Sequence, residues 1–546
     1  MPASLPLSRR LLTLLALVFA GTALAAPERT QVTLLATTDT HGRIYPVDYY
    51  ANKPADLGLA KIATLVAQVR KESRHVLLLD CGDTIQGTPL AYFHNRKNNT
   101  PPDPMMLVMN SLGYVSMTPG NHEYNFGLGV LEKARREASF PWVSANTYRV
   151  GTDETAFQPY VVREIGGVRI GILGLTTPAI PNWENPENYA GLEFRPLVSE
   201  AKKWVPRLRE GEKVDAVVIA VHCGLDEDLA TGRRRPGDFD GENAALSIAR
   251  EVPGVDVMFL GHSHRDIPAL VVNGVLLCQA GRWADHLARV ELTFSREDGG
   301  AWSVLARDAR SLATGPEVAA DSAVLALAAP YHAETEAWLS RAIGHCAQPL
   351  SAASGHFEDT ALLDLVHRAQ LEAGKADVSL AANFNPRARI PAGPVTVRDL
   401  AGIYIYENTL YVIEVTGAQL KAALEHAARY FLPYEAGKTP AQLVDPNIPG
   451  YAFDIAEGVS YEIDLRRPPG DRILNLTFQG APLDPARKLR LATNNYRYNG
   501  GGGYTMFKGA KVLDRSSTEI RDLMIGWVER HHEIPAEPTR NWKLLY

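Results

Sequence analysis

Continuous apolar runs, each ending in a polar turn, are the feature of this 546-residue sequence that most restricts its fold. In the first half they alternate with helical periodicity, as at 57–70, where Asp56 is placed to cap the helix. Runs without polar alternation predict strands that are covered on both faces. They lie at 32–37, 76–79, 168–175, 214–221, 255–260 and 275–278. We therefore expect a layered α/β domain whose ligand-binding residues collect at strand ends.

The second half restarts after an Ala-rich helical stretch, 321–341, which Pro330 should interrupt. Its pattern predicts a mixed α+β domain, and Gly374 is predicted at the C′ position after the first helix. The predicted helices are 359–373 and 417–430, and the predicted strands are 378–381, 411–415, 459–465 and 489–493. We expect a leader at 1–25, a first domain at 26–320, a linker helix at 321–343 and a second domain at 344–546.

The N-terminus has the features of a secretory signal peptide. Arg9 and Arg10 precede the apolar run 11–19, and Ala23-Leu24-Ala25 is a small-x-small cleavage site. A membrane anchor is the alternative, but a membrane-spanning helix needs about 20 apolar residues. We expect cleavage near Ala25, export to the periplasm and no membrane association afterwards.

Composition excludes several classes of protein. Hydrophobic residues make up 46% of the chain and charged residues 22%, as in ordinary globular proteins. The formal net charge of −6 argues against binding to duplex nucleic acid, although a local anion site remains possible. The four cysteines form no CxxC pair and predict buried thiols rather than a disulfide framework. We expect a monomer.

Five short motifs after apolar runs carry the candidate chemistry. Each supplies a carboxylate, an amide or imidazoles, and their glycines let the backbone approach closely. The motifs are Asp39-Thr40-His41, Gly82-Asp83-Thr84, Gly120-Asn121-His122-Glu123, Val221-His222-Cys223-Gly224 and Gly261-His262-Ser263-His264. In the Asp-x-His and His-x-His pairs, residues two apart would point the same way in extended backbone. Oxygen and imidazole donors without thiolates suit Zn²⁺, Mn²⁺, Fe or Co.

In this order, the motifs resemble those of the calcineurin-like metallophosphoesterases. Nearly the whole mature chain is similar to the exported 5′-nucleotidase family, and more so to its periplasmic 2′,3′-cyclic-nucleotide 2′-phosphodiesterase/3′-nucleotidase branch. The stretches that carry the resemblance are 82–89, 120–127 and 492–497. The resemblance implies a four-layer catalytic domain, a linker helix and a C-terminal nucleotide-binding domain, with two divalent metal ions as cofactors.

The resemblance also implies a role for each motif residue. Asp83 would bridge the two ions, because a shared carboxylate offsets the repulsion between neighbouring cations. One ion would be held by Asp39, His41, Asp83 and His264, and the other by Asp83, Asn121, His222 and His262. His122 would stabilise the transition state or protonate the leaving oxygen. Asn125 could orient His122 through its side-chain carbonyl.

In the second half, Tyr406 and Tyr496 match the two base-stacking aromatics of the family, and Arg387 matches an arginine near the substrate. Two departures from the 5′-nucleotidase pattern favour the cyclic-nucleotide branch. Asn125 stands where the 5′-nucleotidases have an aspartate, and Gly502 stands where the 5′-nucleotidases have an acid that grips the ribose diol. A carboxylate at the latter position would repel a phosphate on O2′ or O3′.

The implied activity is metal-dependent hydrolysis of 2′,3′-cyclic nucleotides to 3′-nucleotides, and of 3′-nucleotides to nucleoside and phosphate. Two alternatives remain open. The chain could be a 5′-nucleotidase or UDP-sugar hydrolase, or an exported nucleotide-binding protein without catalysis.

Overall fold

The computed structural model describes residues 27–234, 238–297 and 299–546. The predicted signal peptide and its cleavage site therefore lie outside the described residues. Within these ranges, no helix is both long and apolar enough to cross a membrane.

The first domain is built on two sheets. The strands are β1 (Glu28–Thr37), β2 (Val76–Asp80), β3 (Ser116–Met117), β4 (Tyr160–Ile165), β5 (Val168–Thr176), β6 (Ala216–His222), β7 (Val257–Leu260), β8 (Asp266–Val272), β9 (Val275–Ala280), β10 (His286–Arg296) and β11 (Ser303–Ala313). One sheet has the order β11-β10-β1-β2-β3 and the other the order β8-β9-β7-β6-β5-β4. In each sheet the central strands are parallel, so their carboxyl ends lie at one edge.

The two sheets pack face to face between two helical layers. Alternate residues of one strand enter different cores: Val218 faces the core between the sheets, whereas Val217 and Ile219 face the outer helices. The longer helices of this domain are α1 (Leu59–Glu72), α2 (Pro104–Leu112), α3 (Leu128–Glu137), α4 (Leu197–Pro206) and α5 (Ala245–Glu251). The expected four-layer α/β architecture is confirmed.

The second domain is mixed α+β, as expected. Its labelled strands are β12 (Val378–Ala382), β13 (Thr409–Thr416), β14 (Asp454–Glu457), β15 (Val459–Asp464), β16 (Ile473–Phe478), β17 (Ala481–Pro482), β18 (Lys488–Asn494), β19 (Val512–Glu519) and β20 (Trp542–Leu545). They form a five-stranded sheet, β14-β12-β18-β13-β19, and a four-stranded sheet, β17-β16-β15-β20. Strands Ala342–Cys346, Gly393–Thr396 and Glu533–Ile534 make a smaller sheet.

A linker helix, α6 (Ser322–Leu339), joins the domains, followed by α7 (Ala361–Gly374), α8 (Val397–Ala401), α9 (Gly417–Ala427) and α10 (Ile520–His531). The predicted break at Pro330 is wrong, because α6 continues through this residue. One hydrophobic cluster extends from Leu35 of β1 through Leu339 of α6 to Val528 of α10. The domains therefore share apolar packing through the linker. The predicted domain bounds stay a prediction.

Two predicted helix ends were wrong for local reasons. Gly58, not Asp56, is the N-cap of α1, and the carboxylate of Asp56 instead binds the ammonium of Lys61 at 2.5 Å. Gly374 is the last residue of α7, and Lys375 takes the left-handed position beyond it with φ 45°. The predicted helix 417–430 tightens into a 3₁₀ turn after Ala427. The four cysteines are buried free thiols, as predicted.

Candidate metal centre

The motif residues converge where the parallel strands of both sheets end. Backbone hydrogen bonds join the first two loops: the N–H of Asp39 donates to Gly82, and the N–H of His41 donates to Asp83, both at 2.8 Å. Two groups of possible ligand atoms, each within 4.8 Å, result; they are Asp39, His41, Asp83 and His264, and Asp83, His222 and His262. Asp83 belongs to both groups, as the expected bridging residue would.

The loops reach this arrangement through left-handed backbone, not through extended backbone as expected. The positive φ angles are Asp39 49°, His41 48°, Asp83 57°, His262 68° and His264 56°. Such angles are uncommon for residues with a side chain and persist where the surrounding structure holds them. In each Asp-x-His or His-x-His pair, the two side chains therefore reach the same place because both residues adopt the left-handed conformation.

In the first group, Nε2 of His41 lies 3.0 Å from Nε2 of His264, which lies 3.4 Å from a carboxylate oxygen of Asp39. The Asp83 carboxylate lies 4.0 Å from Nε2 of His41. Burial and the neighbouring His264 lower the pKa of His41 to about 3, so its imidazole is neutral at pH 7, the form that binds a metal.

In the second group, Nε2 of His222 lies 3.1 Å from the Asp83 carboxylate and 3.2 Å from Oδ1 of Asn121. The amide oxygen of Asn121 therefore lies beside this group, and its role as a metal ligand stays a prediction. Burial opposes ionisation of Asp83, but its histidine neighbours outweigh burial and hold the pKa well below its usual range. An ionised carboxylate between imidazoles and an amide oxygen is a donor set that suits divalent metals.

In three of the candidate ligand histidines, the second ring nitrogen has its own contact. Nδ1 of His41 lies 3.0 Å from Oε1 of Gln86, and Nδ1 of His222 donates to the carbonyl of Cys81 at 2.7 Å. Nε2 of His262 donates to Glu242 at 2.9 Å, which leaves Nδ1 free for a metal. Such outer contacts fix the tautomer and the ring orientation of metal-binding histidines.

Glu123 is a supporting residue to which the sequence analysis assigned no role. Its buried carboxylate accepts hydrogen bonds from the backbone N–H groups of Asp83, Thr84, Ile85 and Gly120, at 2.6 to 3.2 Å. Burial and the nearby Asp83 raise the pKa of Glu123. One side chain therefore holds two ligand loops together. Glutamate after the Asn-His pair was the only sequence signal.

His122 lies at the rim of the cluster, with its side chain 31% exposed. Its Nε2 is 4.0 Å from the Asp83 carboxylate, and its Nδ1 is 2.6 Å from Oδ1 of Asn125. The contact expected between Asn125 and His122 is therefore present. Burial works against protonation, but Asp83, Asn125 and more distant carboxylates raise the pKa of His122.

Three tyrosines of the second domain, Tyr406, Tyr451 and Tyr496, are partly exposed. Tyr406 is 38% exposed and Tyr451 is 41% exposed, and Tyr496 is half-buried. Burial raises the pKa of Tyr496 to about 12, and Tyr451 and Glu242, the partner of His262, add to that rise. Tyr496 is therefore close enough to Glu242 for the charge of that carboxylate to affect it.

Two other sequence predictions concern the second domain. Arg387 lies exposed in a loop, with its backbone N–H bound to Asn385, and its predicted role near the substrate stays a prediction. Gly502 has a φ of 69°, and a Cβ added there would lie 2.6 Å from the guanidinium of Arg497. An acid at this position would therefore need a different backbone.

Contacts between the domains run directly to the cluster. The amide of Gln86, which contacts His41, also donates to Glu407, and Glu407 pairs with buried Arg521 at 3.2 Å. Asn495 donates to the carbonyl of Trp183 at 2.7 Å, and the ring of Trp183 contacts His262. The position of the second domain is thus linked to two of the candidate ligands.

Comparison with known proteins matches both domains. The family model "calcineurin-like phosphoesterase" matches residues 32–266, and "5′-nucleotidase, C-terminal domain" matches residues 342–509. The 2′,3′-cyclic-nucleotide 2′-phosphodiesterase/3′-nucleotidase of Haemophilus influenzae is 30% identical, over 94% of this chain and 87% of that protein.

Two further relatives extend the comparison. The trifunctional nucleotide phosphoesterase YfkN of Bacillus subtilis is 26% identical over 95% of this chain, which spans only 39% of that longer protein. The crystal structure of a Staphylococcus aureus protein described as a 5′-nucleotidase superposes with a TM-score of 0.83 at 26% identity, covering 95% of this chain and all of that one.

Proposed function

Because the chain belongs to the family of 2′,3′-cyclic-nucleotide 2′-phosphodiesterase/3′-nucleotidases, we propose that it hydrolyses 2′,3′-cyclic nucleotides to 3′-nucleotides and then 3′-nucleotides to nucleoside and phosphate. The observation that carries the proposal is the pair of ligand groups that share Asp83 at the strand ends.

We propose that Asp39, His41, Asp83 and His264 hold one divalent ion, and that Asp83, Asn121, His222 and His262 hold the other. Neutral His41, ionised Asp83 and the buried amide of Asn121 are the donors this role needs. When bound, such a pair supplies Lewis-acid activation of water and of the phosphoryl oxygens. Zn, Mn, Co and Fe all fit these oxygen and imidazole donors.

His122 has the position of a proton donor. Nε2 faces the Asp83 carboxylate at 4.0 Å, and the partial exposure of the ring leaves it accessible to substrate. As the oxygen of water bonds to phosphorus, the P–O bond to the ribose would break with its electron pair left on the ribose oxygen. That oxygen would take the proton from Nε2, and the proton released by the water would restore His122. Asn125 holds the ring through Nδ1, so that Nε2 points to the reacting phosphate.

Tyr406 and Tyr496 would hold the base, and Arg387 would lie near the substrate. Specificity then comes from the second domain and chemistry from the first. Gly502 favours substrates that carry phosphate on O2′ or O3′, because no acid is present there to bind a free ribose diol. The signal-like N-terminus supports a periplasmic location for the mature protein, which we propose to be a monomer.

A 5′-nucleotidase is the second candidate, because the Staphylococcus aureus structure described by that name has the same two-domain architecture. The two candidates differ in the position of the phosphate on the ribose. The rates of hydrolysis of nucleotides that carry phosphate at these different positions therefore separate the two candidates.

The test is kcat/KM for 2′,3′-cyclic AMP, 3′-AMP and 5′-AMP on one preparation. We expect the first two to be hydrolysed and 5′-AMP to be clearly poorer. A carboxylate on the diol would contribute two charge-assisted hydrogen bonds of about 1.5–3 kcal/mol each, and this chain lacks it. A value for 5′-AMP equal to or above that for 2′,3′-cyclic AMP would move the assignment to the 5′-nucleotidases.

Metal removal tests the chemistry separately. EDTA should abolish hydrolysis of 2′,3′-cyclic AMP, and Mn²⁺, Co²⁺ or Zn²⁺ should restore at least part of it. Full activity in a preparation shown by elemental analysis to be metal-free would contradict the two-ion site. Tight nucleotide binding without turnover, in the metal-loaded protein, would indicate a binding protein instead.

A further inference from the structure

A buried carboxylate lies directly behind Asn125. The side-chain N–H of Asn125 donates to Oε1 of Glu184, and the other oxygen of Glu184 accepts from Asn188 at 2.8 Å. Glu184 is only 6% exposed. Three side chains therefore form one line, from His122 through Asn125 to Glu184.

The direction of this line follows from what each group can donate. Each oxygen of Glu184 accepts a hydrogen bond from an amide, and Asn188, His122 and Asn125 favour the ionised form against burial, which raises the pKa of Glu184. An ionised carboxylate only accepts hydrogen bonds, so Asn125 turns its NH₂ group towards Glu184 and its oxygen towards His122. Nδ1 of His122 must then carry the proton that Asn125 accepts at 2.6 Å. The ring is left with Nε2 facing the Asp83 carboxylate, on the side of the ligand cluster.

Without Glu184, the side-chain amide of Asn125 would have no preference between its two orientations. Its two ends are nearly the same shape, and a flipped Asn125 would present two N–H donors to the ring. Asn188 completes the arrangement, because its amide donates both to Glu184 and to the backbone carbonyl of Asn125 at 3.3 Å. Arg96 donates to the same carbonyl at 3.1 Å.

The second domain also contacts the segment that carries Glu184. The residue before it, Trp183, accepts a hydrogen bond from Asn495 at 2.7 Å. The residue after it, Asn185, accepts from the hydroxyl of Tyr411 at 2.7 Å. Glu184 is therefore held on both sides by the domain that would bind the nucleotide.

We propose that Glu184 is the positioning residue of this reaction: acting through Asn125, it fixes the orientation of His122 and supplies the negative charge that an aspartate at position 125 would have supplied. The proposal rests on the proposed function only for the role of His122 as proton donor. It extends that function to a residue that touches neither metal nor substrate.

The first experiment is Glu184→Gln in the metal-loaded protein. We expect kcat for 2′,3′-cyclic AMP and 3′-AMP to fall by about 10–100-fold, as for loss of an outer partner of an active-site histidine, with KM nearly unchanged. Hydrolysis of bis-p-nitrophenyl phosphate should fall much less, because nitrophenolate leaves without a proton. An equal loss on both kinds of substrate would mean that Glu184 only supports the fold.

A reciprocal exchange tests the charge itself. Asn125→Asp alone would place two carboxylates in contact and should lower kcat. Combined with Glu184→Gln, the same change places one carboxylate beside His122 and one amide behind it, so we expect kcat to recover towards the wild-type value. A double variant no better than Glu184→Gln alone would overturn the proposal.

Two further variants complete the design. Glu184→Gln should have no additional effect on kcat in a His122→Ala background, because the two residues act as one unit; an undiminished effect there would also overturn the proposal. Glu187→Gln, on the same segment but exposed and paired with Arg515, is the control and should leave kcat unchanged.

Failure of the proposed function would look different. Wild-type protein that hydrolyses 5′-AMP but no 2′,3′-cyclic or 3′-nucleotide would refute the substrate assignment alone, and the loss of kcat expected from Glu184→Gln would then be measured on 5′-AMP. Normal wild-type turnover of these nucleotides with no effect of Glu184→Gln would refute the positioning role alone.

Discussion

At the scale of single residues, the centre depends on side chains whose surroundings set their protonation. His41 is kept neutral by burial, while His122 is partly exposed and has its pKa raised by carboxylates. Two histidines a few ångströms apart can thus serve as ligand and proton donor. Because both residues are histidines, the difference between their expected roles comes from their environments.

His122 is expected to act in the transition state rather than as a ligand. His122→Ala should lower kcat for 3′-AMP by about 10²–10⁴-fold, the usual contribution of a general acid. Its metal content, measured by elemental analysis, should equal that of the wild type. Loss of metal from this variant would instead identify His122 as a ligand.

His367 of α7 gives a prediction about stability. It is buried beside the hydroxyl of Ser379, and burial lowers its pKa to about 3, against about 6.5 in an unfolded chain. Below pH 6.5 the imidazole of His367 binds a proton in the unfolded chain but stays neutral in the folded protein. Stability from this residue is therefore complete above pH 6.5 and lost as pH falls, by up to about 1.4 kcal/mol per pH unit.

His367→Gln should flatten the dependence of the unfolding free energy on pH between 4.5 and 6.5, measured by denaturant titration. The matched control is His345→Gln, an exposed histidine paired with Glu533. An unchanged pH slope in His367→Gln would show that this residue is protonated without cost in the folded protein.

At the scale of elements, the site is made by loops that turn immediately after parallel strands. Gly120 and Gly82 sit where two such loops touch: a Cβ on Gly82 would meet the backbone N of Gly120 at 2.4 Å. The carboxylate of Glu123 accepts hydrogen bonds from backbone N–H groups of both loops. The ligand geometry is thus a property of the paired loops, not of either one.

Gly120→Ala is expected to damage the centre. Its Cβ would lie 2.2 Å from the carboxylate of Asp83 and 2.7 Å from the ring of His222, so both must move. We expect a 10–100-fold loss of metal affinity, measured by competition with a chelator. Gly129→Ala is the control, because nothing lies within 4 Å of its new Cβ and alanine favours helix α3. Wild-type affinity in Gly120→Ala would mean that the loops separate easily.

At the scale of the whole molecule, we expect the two domains to divide the work. The first carries the candidate ligands, and the second makes the contacts that reach Trp183, Asn185 and Gln86. Apolar packing through α6 connects the two cores. A change in domain position would therefore reach the cluster through hydrogen bonds as well as through bound substrate.

The base-binding role of the two tyrosines is tested by substrate choice. Tyr406→Ala and Tyr496→Ala should each raise KM for 2′,3′-cyclic AMP by the equivalent of about 1–3 kcal/mol of lost stacking. Hydrolysis of bis-p-nitrophenyl phosphate, which has no base, should change much less. Tyr434→Ala, also 38% exposed, is the control and should behave as wild type. Equal losses on both substrates would make the tyrosines structural.

Sequence alone determined the layered α/β class, the order of the motifs and the donor types that converge, because apolar periodicity and residue chemistry are local properties. Only the tertiary structure decided how they converge. Three features bring together residues that are far apart in the chain. They are the left-handed turns at Asp39 and His264, the backbone hydrogen bonds that Glu123 accepts, and the line from His122 to Glu184. Such contacts form only where strands of the two sheets end close together, and no local sequence pattern encodes the distance between those strand ends.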